Sequence, residues 1–252
     1  MLIDTHSHIY YEPYENQIDE IISRANKKNI SKIICVGTDI ESSIESIKLS
    51  EKYDCVYATV GVHPHDTSNL QSNYIYELEE LSKSTKVVAI GETGLDYFYN
   101  HSSPSKQKEC FIEHIELSQS IDLPLIIHNR NSDNDMIKIL NKYSPKGVIH
   151  CFTGNIEFAQ RIFDLGMLIS FTGIITFKNS NLEDVIKRIK NTQFLIETDS
   201  PYLTPEPFRG KLNEPSYVSY VAKKIAEIRN ITVEEVAKNT TNNAYRLFKR
   251  LK

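Results

Sequence analysis

The sequence predicts an α/β protein: a TIM, or (β/α)8, barrel formed by a single domain of residues 1–252, with extra helices at its C-terminal end. Three observations predict this class. Eight apolar runs of strand length alternate along the chain with patterns of helical period. The runs are apolar on both faces, which is typical of parallel strands covered by helices. No linker interrupts them, and eight such units in about 200 residues favour a closed barrel.

The elements are predicted one by one from these patterns. The strands are short apolar runs at residues 2–5, 32–36, 55–60, 86–90, 123–127, 147–149, 167–171 and 193–196. The helices have apolar residues three or four positions apart, and they cover residues 14–28, 40–49, 73–83, 104–120, 136–140, 156–163, 182–189, 216–229 and 233–248.

Local signals support several boundaries. Pro104 stands in the first turn of its helix, where a missing N–H is tolerated. Pro145 ends the helix before the sixth strand, because proline cannot continue a helix, and Gly166 ends the next helix. Thr232 and Glu235 are three residues apart and form a capping box for the last helix.

An open, doubly wound sheet is the alternative to a barrel. Such a sheet would need a glycine-rich phosphate loop after its first strand. Residues 4–8 read Asp-Thr-His-Ser-His and contain no glycine. The barrel is therefore favoured.

Composition excludes several classes of protein. Hydrophobic residues make up 40% of the chain, enough for a sizeable core and too many for a disordered protein. The net charge of −4 argues against a broad basic surface that grips duplex nucleic acid. Nucleic acid stays possible as a substrate, because bound metal ions would supply local positive charge.

The sequence also suggests where in the cell the protein is located. The four cysteines form no CxxC pair, so we expect them to be reduced and the protein to be cytoplasmic. Residues 1–6 lack the basic and apolar regions of a signal peptide. No apolar run approaches the roughly 20 residues of a membrane span, so we expect no membrane association.

Polar stretches follow five of the predicted strands, and each contains a side chain that metals prefer. In a barrel, residues past the carboxyl ends of the strands converge on one mouth. His6 and His8 are two residues apart, so on an extended segment they point to the same side. The mouth would therefore collect six candidate metal ligands: His6, His8, Glu92, His128, His150 and Asp199.

Six nitrogen and oxygen ligands exceed the needs of one tetrahedral zinc ion. They suit two divalent metal ions that share a bridging ligand, and Glu92 is best placed for that role by its central strand. Mixed imidazole and carboxylate ligands fit Zn, Mn or, more weakly, Mg. Two such ions can activate a water and stabilise the attacking and leaving oxygens of a hydrolysis.

Plainer interpretations exist for some of these residues. Glu92 could be an ordinary buried carboxylate, although it would then need another partner. Asp199 could cap a turn ahead of Ser200 and Pro201. Asp4 is expected to be structural or to support a metal ligand.

Three neighbouring residues are expected to have no role in the chemistry. His101 and His114 are interpreted as hydrogen-bonded or exposed histidines. Cys151 follows His150 and should alternate to the opposite face, so we expect it in the core.

A substrate-binding rim is predicted from loops at the same mouth. His63 and His65 follow the third strand, where an imidazole could orient a phosphate or protonate a leaving group. Cationic and aromatic side chains there could bind an anionic, base-bearing substrate, although solvated charge or loop packing would also explain them. They are Arg130, Lys178, Arg209, Lys211, Tyr97, Phe98, Tyr99, Tyr202 and Phe208.

These stretches resemble the TatD family of metal-dependent deoxyribonucleases, a branch of the metal-dependent hydrolase barrel superfamily. The resemblance runs over nearly the whole chain. Its motifs are Asp4-Thr5-His6-Ser7-His8, Gly61-Val62-His63-Pro64-His65, Gly91-Glu92-Thr93-Gly94-Leu95-Asp96-Tyr97, Gly147-Val148-Ile149-His150-Cys151-Phe152-Thr153-Gly154, Glu197-Thr198-Asp199-Ser200-Pro201-Tyr202-Leu203 and Thr240-Thr241-Asn242-Asn243.

The resemblance implies a TIM barrel with two divalent metal ions that hydrolyses phosphodiester bonds of DNA, exonucleolytically on single strands. Its metal ligands carry over to the same six residues. A metal-bound hydroxide would attack the phosphorus, with Glu92 bridging the metals, Asp199 taking the proton of the water and His63 contacting the phosphate. His65, Arg130, Arg209 and Tyr202 would bind substrate. No obligate protein partner is evident.

Two departures from the family pattern fall at the substrate rim. Asn129-Arg130-Asn131 stands where the family has serine or threonine followed by Arg-Asp, and Leu212 replaces an arginine. The alternative function keeps the barrel and both metals but hydrolyses a small ester, lactone or amide.

Overall fold

The computed structural model describes residues 1–99 and 101–251, and it contains one eight-stranded parallel sheet. The strands pair in the order of the chain from the first to the eighth. They are β1 (Leu2–Ser7), β2 (Ile30–Val36), β3 (Val56–Val60), β4 (Val87–Asp96), β5 (Leu125–Arg130), β6 (Gly147–Ile149), β7 (Leu168–Phe171) and β8 (Phe194–Ile196).

Helices follow the strands and cover the outside of the sheet. They are α1 (Ile18–Lys27), α2 (Ile40–Lys52), α3 (Tyr74–Ser82), α4 (Pro104–Ser120), α5 (Asp133–Tyr143), α6 (Ile156–Asp164), α7 (Glu183–Arg188), α8 (Val218–Arg229) and α9 (Val233–Leu247). Four short 3-10 turns lie at Glu12–Tyr14, Pro64–Asn69, Gly173–Thr176 and Pro215–Tyr217. Among the described residues, none of the helices combines the length and the apolar character that a membrane span requires.

The first and last strands meet at the mouth of the sheet. Ser7 and Ser200 form a parallel bridge, and the His8 N–H donates to the Ser200 carbonyl at 2.7 Å. The Asp199 N–H donates to the His6 carbonyl at 2.9 Å. These bonds join the two edges, so the predicted TIM barrel is confirmed.

The barrel interior is filled by side chains and closed at its amino end. One buried cluster takes a residue from every strand, for example Ile3 from β1, Val88 from β4 and Leu195 from β8. The same cluster includes Phe248 and Leu251, which follow α9. The chain after α9 therefore plugs one end of the barrel and leaves the carboxyl mouth free for a site.

Three predicted boundaries were wrong: the ends of the fourth and fifth strands and the start of the first helix. β4 and β5 continue past their predicted ends, because Gly94 pairs with His128 and Asp96 pairs with Arg130. Glu92 and His128 thus lie within paired strands rather than in loops. The predicted helix 14–28 begins only at Ile18, after a 3-10 turn that contains Pro13.

Candidate metal centre and active site

The structure brings all six predicted ligands together around the Glu92 carboxylate. Glu92 Oε2 lies 3.2 Å from His6 Nε2 and 3.8 Å from His8 Nε2. Glu92 Oε1 lies 2.9 Å from His128 Nδ1 and 2.8 Å from His150 Nε2. The two oxygens therefore face two different pairs of histidines.

Asp199 completes one side of this arrangement. Its Oδ1 lies 3.6 Å from Nε2 of both His6 and His8. In the part of the chain that the structure describes, three overlapping donor sets have ligand atoms within 4.8 Å of one another. The sets are His6, His8 and Glu92; His6, His150 and Asp199; and His63, Glu92 and His128.

The histidine tautomers fit metal binding. The second ring nitrogen of three of them faces an oxygen: Nδ1 of His8 lies 2.8 Å from the Val36 carbonyl, Nε2 of His128 lies 3.0 Å from Asp96, and Nδ1 of His150 lies 3.4 Å from Glu197. A proton on each of these nitrogens leaves the other nitrogen with its lone pair toward the centre. This second contact is the usual arrangement for metal-binding histidines.

Crowding of the donor atoms also fits a cation. Nε2 of His6 and Nε2 of His8 are 3.1 Å apart, and Nδ1 of His128 and Nε2 of His150 are 3.2 Å apart. Lone pairs directed at one another repel unless a cation lies among them. Imidazole and carboxylate donors in this ratio suit divalent ions such as Zn²⁺ or Mn²⁺.

Electrostatics keep the central carboxylates ionised. Burial raises the pKa of Glu92, but without metal the charge of His150 and hydrogen bonds from His128 and His150 to Glu92 outweigh burial and hold this pKa well below its usual value. A bound cation would take the place of the protons on these inward nitrogens. Burial likewise raises the pKa of Asp199, and hydrogen bonding and charge from the neighbouring histidines lower it overall. Both side chains are therefore anionic at neutral pH, as ligands for a cation must be.

Two glycines let β4 approach β5 closely enough to place Glu92. Gly91 has φ of +138° and Gly94 has φ of +139°, backbone conformations that favour glycine. A Cβ on Gly91 would overlap the Ile126 carbonyl oxygen, and one on Gly94 would overlap the His128 carbonyl oxygen. The Gly-Glu-Thr-Gly sequence thus sets the position of the central carboxylate.

Asp96 is a buried carboxylate that the sequence analysis left without a role. Its Oδ2 lies 3.0 Å from Nε2 of both His65 and His128, and its Oδ1 accepts from the Phe98 and Tyr99 N–H groups. It lies four residues after Glu92 within β4. That even spacing on an extended strand, which places both side chains on one face, is the signal that could have identified it.

Two other buried carboxylates, Asp4 and Glu197, contact candidate metal ligands or residues next to them in the chain. Asp4 accepts from the Thr198 N–H at 2.8 Å and from the Thr198 hydroxyl at 2.6 Å, so its predicted structural role is confirmed. Glu197, which the sequence analysis did not single out, accepts from the Cys151 N–H at 2.7 Å and faces His150.

His63 differs in its tautomer from three of the four candidate histidine ligands, His8, His128 and His150. The His65 backbone N–H donates to His63 Nδ1 at 3.2 Å, so the ring proton is on Nε2, which lies 3.5 Å from Glu92 Oε1. A protonated nitrogen cannot bind a metal but can donate a hydrogen bond, so in this tautomer His63 supplies no donor atom to the set that distance alone forms with Glu92 and His128. Burial lowers the pKa of His63 to about 3, so the ring is neutral at neutral pH.

His114, His101 and Cys151 lie outside the group of candidate metal ligands. His114 accepts from the Val62 N–H and its Nδ1 faces the Cys110 carbonyl, so its predicted structural role is confirmed. His101 is exposed and belongs to none of the donor sets. The expectation that Cys151 packs in the core was wrong: β6 ends at Ile149, the φ of Cys151 is +44°, and its half-buried side chain lines the mouth cavity.

A cavity of about 640 Å³ opens above the donor atoms. Of the predicted substrate-binding residues, His65, Arg130 and Tyr202 line it. The Arg130 guanidinium lies 4.2 Å from the Phe98 ring centre and 4.7 Å from that of Tyr99. It has no carboxylate partner among residues 1–99 and 101–251, so its charge is available to an anionic substrate.

Arg209 is not brought to this cavity. Its guanidinium lies 3.9 Å from the Phe177 ring centre, and it is absent from the residues that line the mouth. Leu212, one of the two departures, is 43% exposed. Substrate binding by Arg209 thus stays a prediction that would require loop movement.

A parallel eight-stranded barrel with histidine, glutamate and aspartate donors at its carboxyl mouth defines the class of metal-dependent hydrolase barrels. The sequence profile of the family described as TatD related DNase matches residues 3–249. The chain therefore belongs to this family of metal-dependent hydrolases.

Individual relatives agree with the family. The uncharacterized metal-dependent hydrolase YabD of Bacillus subtilis (strain 168) is 44% identical over an alignment of 253 positions, which covers 99% of each chain. The 3'-5' ssDNA/RNA exonuclease TatD of Citrobacter koseri is 32% identical over 91% of this chain and 92% of that protein. The crystal structure of YJJV, a TatD homologue from Escherichia coli K12, superposes with a TM-score of 0.93 at 30% identity over 98% of both chains.

Proposed function

We propose that the protein hydrolyses phosphodiester bonds of DNA, removing nucleotides from the end of a single strand with the help of two divalent metal ions, Mg²⁺, Mn²⁺ or Zn²⁺. The observation that carries the proposal is the division of the donors by Glu92, whose two oxygens face separate histidine pairs. When bound, a metal pair supplies positive charge to the phosphate and lowers the pKa of the attacking water.

The chain's own residues then act on the water and the phosphate. Asp199 is anionic, reaches the cavity and is placed to accept the proton of the water. His63 carries its proton on Nε2 and has a pKa of about 3, so it acts as a hydrogen-bond donor to a phosphate oxygen rather than as an acid. Glu92 lies between the pair His6 and His8 and the pair His128 and His150, so it would fix the distance between the two metal sites.

The rim of the cavity supports a single-stranded substrate. Arg130 presents an unpaired positive charge, and Tyr11, Tyr99 and Tyr202 line the opening. Aromatic rings stack on unpaired bases, which a duplex does not expose. The name of the Citrobacter koseri relative, a 3'-5' ssDNA/RNA exonuclease, is consistent with such a substrate. Cytoplasmic location and the lack of an obligate protein partner stay predictions.

The test uses single-stranded DNA labelled separately at each end. Purified protein is incubated with Mg²⁺, Mn²⁺ or Zn²⁺, with a chelator control and with Glu92→Ala alongside. We expect stepwise shortening that requires metal and Glu92, and the label that survives gives the polarity. No cleavage with any metal, despite metal bound to the protein, would contradict the proposal and favour a hydrolase of small esters, lactones or amides. Parallel RNA and duplex DNA substrates define the preference.

A further inference from the structure

The cavity of about 640 Å³ above the candidate metal ligands is called the metal cavity below. A second cavity, of about 650 Å³, lies beside it, between the ends of β5 and β6. Asn129, Arg130 and Thr153 line both cavities, so the two adjoin along this wall. None of the six metal-ligand candidates lines the second cavity, within the described part of the chain. It is therefore a separate compartment that opens next to the site of hydrolysis.

The second cavity has aromatic side chains in its lining. Tyr97, Phe152 and Phe158 contribute to it, and the rings of Phe152 and Phe158 are stacked with centres 5.8 Å apart. Gly154 also lines it, and a Cβ there would lie 2.8 Å from the Phe158 ring and 2.9 Å from the Phe152 ring. Phe152 and Phe158 are buried, only 2% and 5% exposed, and they form the floor of the cavity. The half-buried ring of Tyr97 is the aromatic surface that remains for a flat ligand.

The charges of the cavity argue against a second phosphate. Asp133 accepts from the Asn129 amide at 2.7 Å, and Asp135 accepts from Lys138 at 3.1 Å, from Lys108 at 3.2 Å and from Tyr97 at 3.1 Å. The two carboxylates would repel an anion. Two cations line the second cavity: Arg130 is shared with the metal cavity, and Lys138 is already paired with Asp135.

Neutral polar groups remain free in the same cavity. The side chains of Asn131, Asn134 and Thr153 line it, are exposed, and form no hydrogen bond with the residues that the structure describes, so they are open to solvent or to a ligand. Two amides and a hydroxyl offer both donors and acceptors. An uncharged ring with hydrogen-bonding edges would satisfy them.

We propose that this cavity binds the base of the nucleotide next to the phosphodiester bond that is hydrolysed. The inference rests on the proposed function, because it takes the adjoining metal cavity to hold the phosphate. A nucleobase is flat, uncharged and edged with donors and acceptors, as the cavity requires. Arg130 lies on the wall between the two cavities and faces the phosphate end of the same nucleotide.

The test blocks the cavity without touching the metal site. Asn134 is exposed in the first turn of α5 and lines the cavity, so the tryptophan of Asn134→Trp should fill it. Asn141→Trp is the control, because it adds the same ring at an exposed position of α5 outside the cavity. Dinucleotides with both bases are compared with dinucleotides in which one or the other base is replaced by an abasic residue.

We expect removal of one particular base to raise the KM of the wild type about tenfold, since stacking on aromatic rings contributes that much. Asn134→Trp should raise the KM for the intact dinucleotide to a similar value and leave the KM for the matching abasic dinucleotide unchanged. Asn141→Trp should behave as the wild type. Equal effects of Asn134→Trp on both dinucleotides, or none, would overturn the inference.

Failure of the proposed function gives a different result. If the wild type hydrolyses neither dinucleotide, calorimetry with free thymidine and adenosine tests the cavity alone. Nucleoside binding that Asn134→Trp abolishes and Asn141→Trp preserves supports the base cavity in a protein that is not a nuclease. The absence of nucleoside binding overturns the inference as well.

Discussion

Asp96 and His128 are joined through the ring nitrogen that points away from Glu92: His128 Nε2 donates to Asp96 Oδ2 at 3.0 Å, while Nδ1 lies 2.9 Å from Glu92 Oε1. The burial of Asp96 and its hydrogen bonds from Phe98 and Tyr99 hold the carboxylate in place. Asp96 therefore fixes both the tautomer and the orientation of a metal-ligand candidate.

Asp96→Asn should lower metal affinity about 10- to 100-fold, because loss of such a supporting carboxylate typically has this effect. Titration of the metal-free protein with Mn²⁺ measures the change. Asp66→Asn is the matched control, since Asp66 lines the same cavity but does not contact His128. Equal affinities for wild type and Asp96→Asn would show that His128 does not depend on Asp96.

His63→Ala should lower kcat by about 100-fold, the cost of one lost hydrogen-bond donor to a developing charge. Its metal content should stay equal to that of the wild type, because the proton on Nε2 prevents His63 from acting as a ligand. Metal analysis beside steady-state kinetics separates the two roles. A fall in bound metal would make His63 a ligand and would contradict the tautomer derived from the His65 N–H.

Gly94→Ala should destabilise the fold by about 3 kcal/mol or more, because a positive φ and an overlap with the His128 carbonyl act together. Gly166→Ala is the control: its φ is +74° and nothing lies within 4 Å of an added Cβ. That change should cost only the left-handed backbone penalty of about 1–2 kcal/mol. Urea unfolding of both variants provides the comparison, and equal costs would mean that close approach of β4 and β5 is not required.

His114 should make stability depend on pH. Burial lowers its pKa to about 4, against an ordinary value of 6.5. Below about pH 6.5 the unfolded chain binds a proton that the folded protein does not, so the free energy of unfolding falls as pH drops and its loss is complete below the folded pKa. At 1.36 kcal/mol per pKa unit the loss is about 3 kcal/mol.

His114→Gln isolates this contribution. The variant is expected to be less stable than the wild type by about 1–3 kcal/mol near neutral pH, because the Val62 N–H loses its acceptor. Lowering the pH to about 4.5 should remove most of about 3 kcal/mol from the wild type alone, so the difference should vanish or change sign. Urea unfolding of the metal-free proteins at both pH values measures it. A difference that stays constant with pH would contradict a buried neutral His114.

The fold could be predicted from the sequence because each strand carries its own apolar run. The runs before His128 and His150 are recognisable without knowledge of their neighbours. Strand ends were harder, since the continuation of β4 to Asp96 depends on pairing with β5. Gly94 pairs with His128, which lies 34 residues further along the chain. The periodicity within one segment cannot reveal such a distant pairing.

The metal-ligand candidates could be predicted because they share one position, the carboxyl ends of strands. The supporting contacts of Asp96 and Glu197 could not, since they depend on which ring nitrogen of His128 or His150 faces inward. Cys151 was misplaced because alternation was extended past the end of β6, where the backbone becomes left-handed. The ring-nitrogen contacts and the turn at Cys151 arise from tertiary geometry. The even spacing of Glu92 and Asp96 within β4 is a local signal for the face that they share, but it does not reveal their partners.

The most direct measurement is Mn²⁺ binding by the metal-free protein, followed by electron paramagnetic resonance. If Glu92 divides the donors into two sites, the wild type should bind two ions per chain, and the spectrum should show coupling between ions about 3.5–4 Å apart. Glu92→Ala should lose the coupling and at least one ion while keeping its circular dichroism. A single uncoupled ion in the wild type, or unchanged coupling in Glu92→Ala, would contradict the two-metal centre.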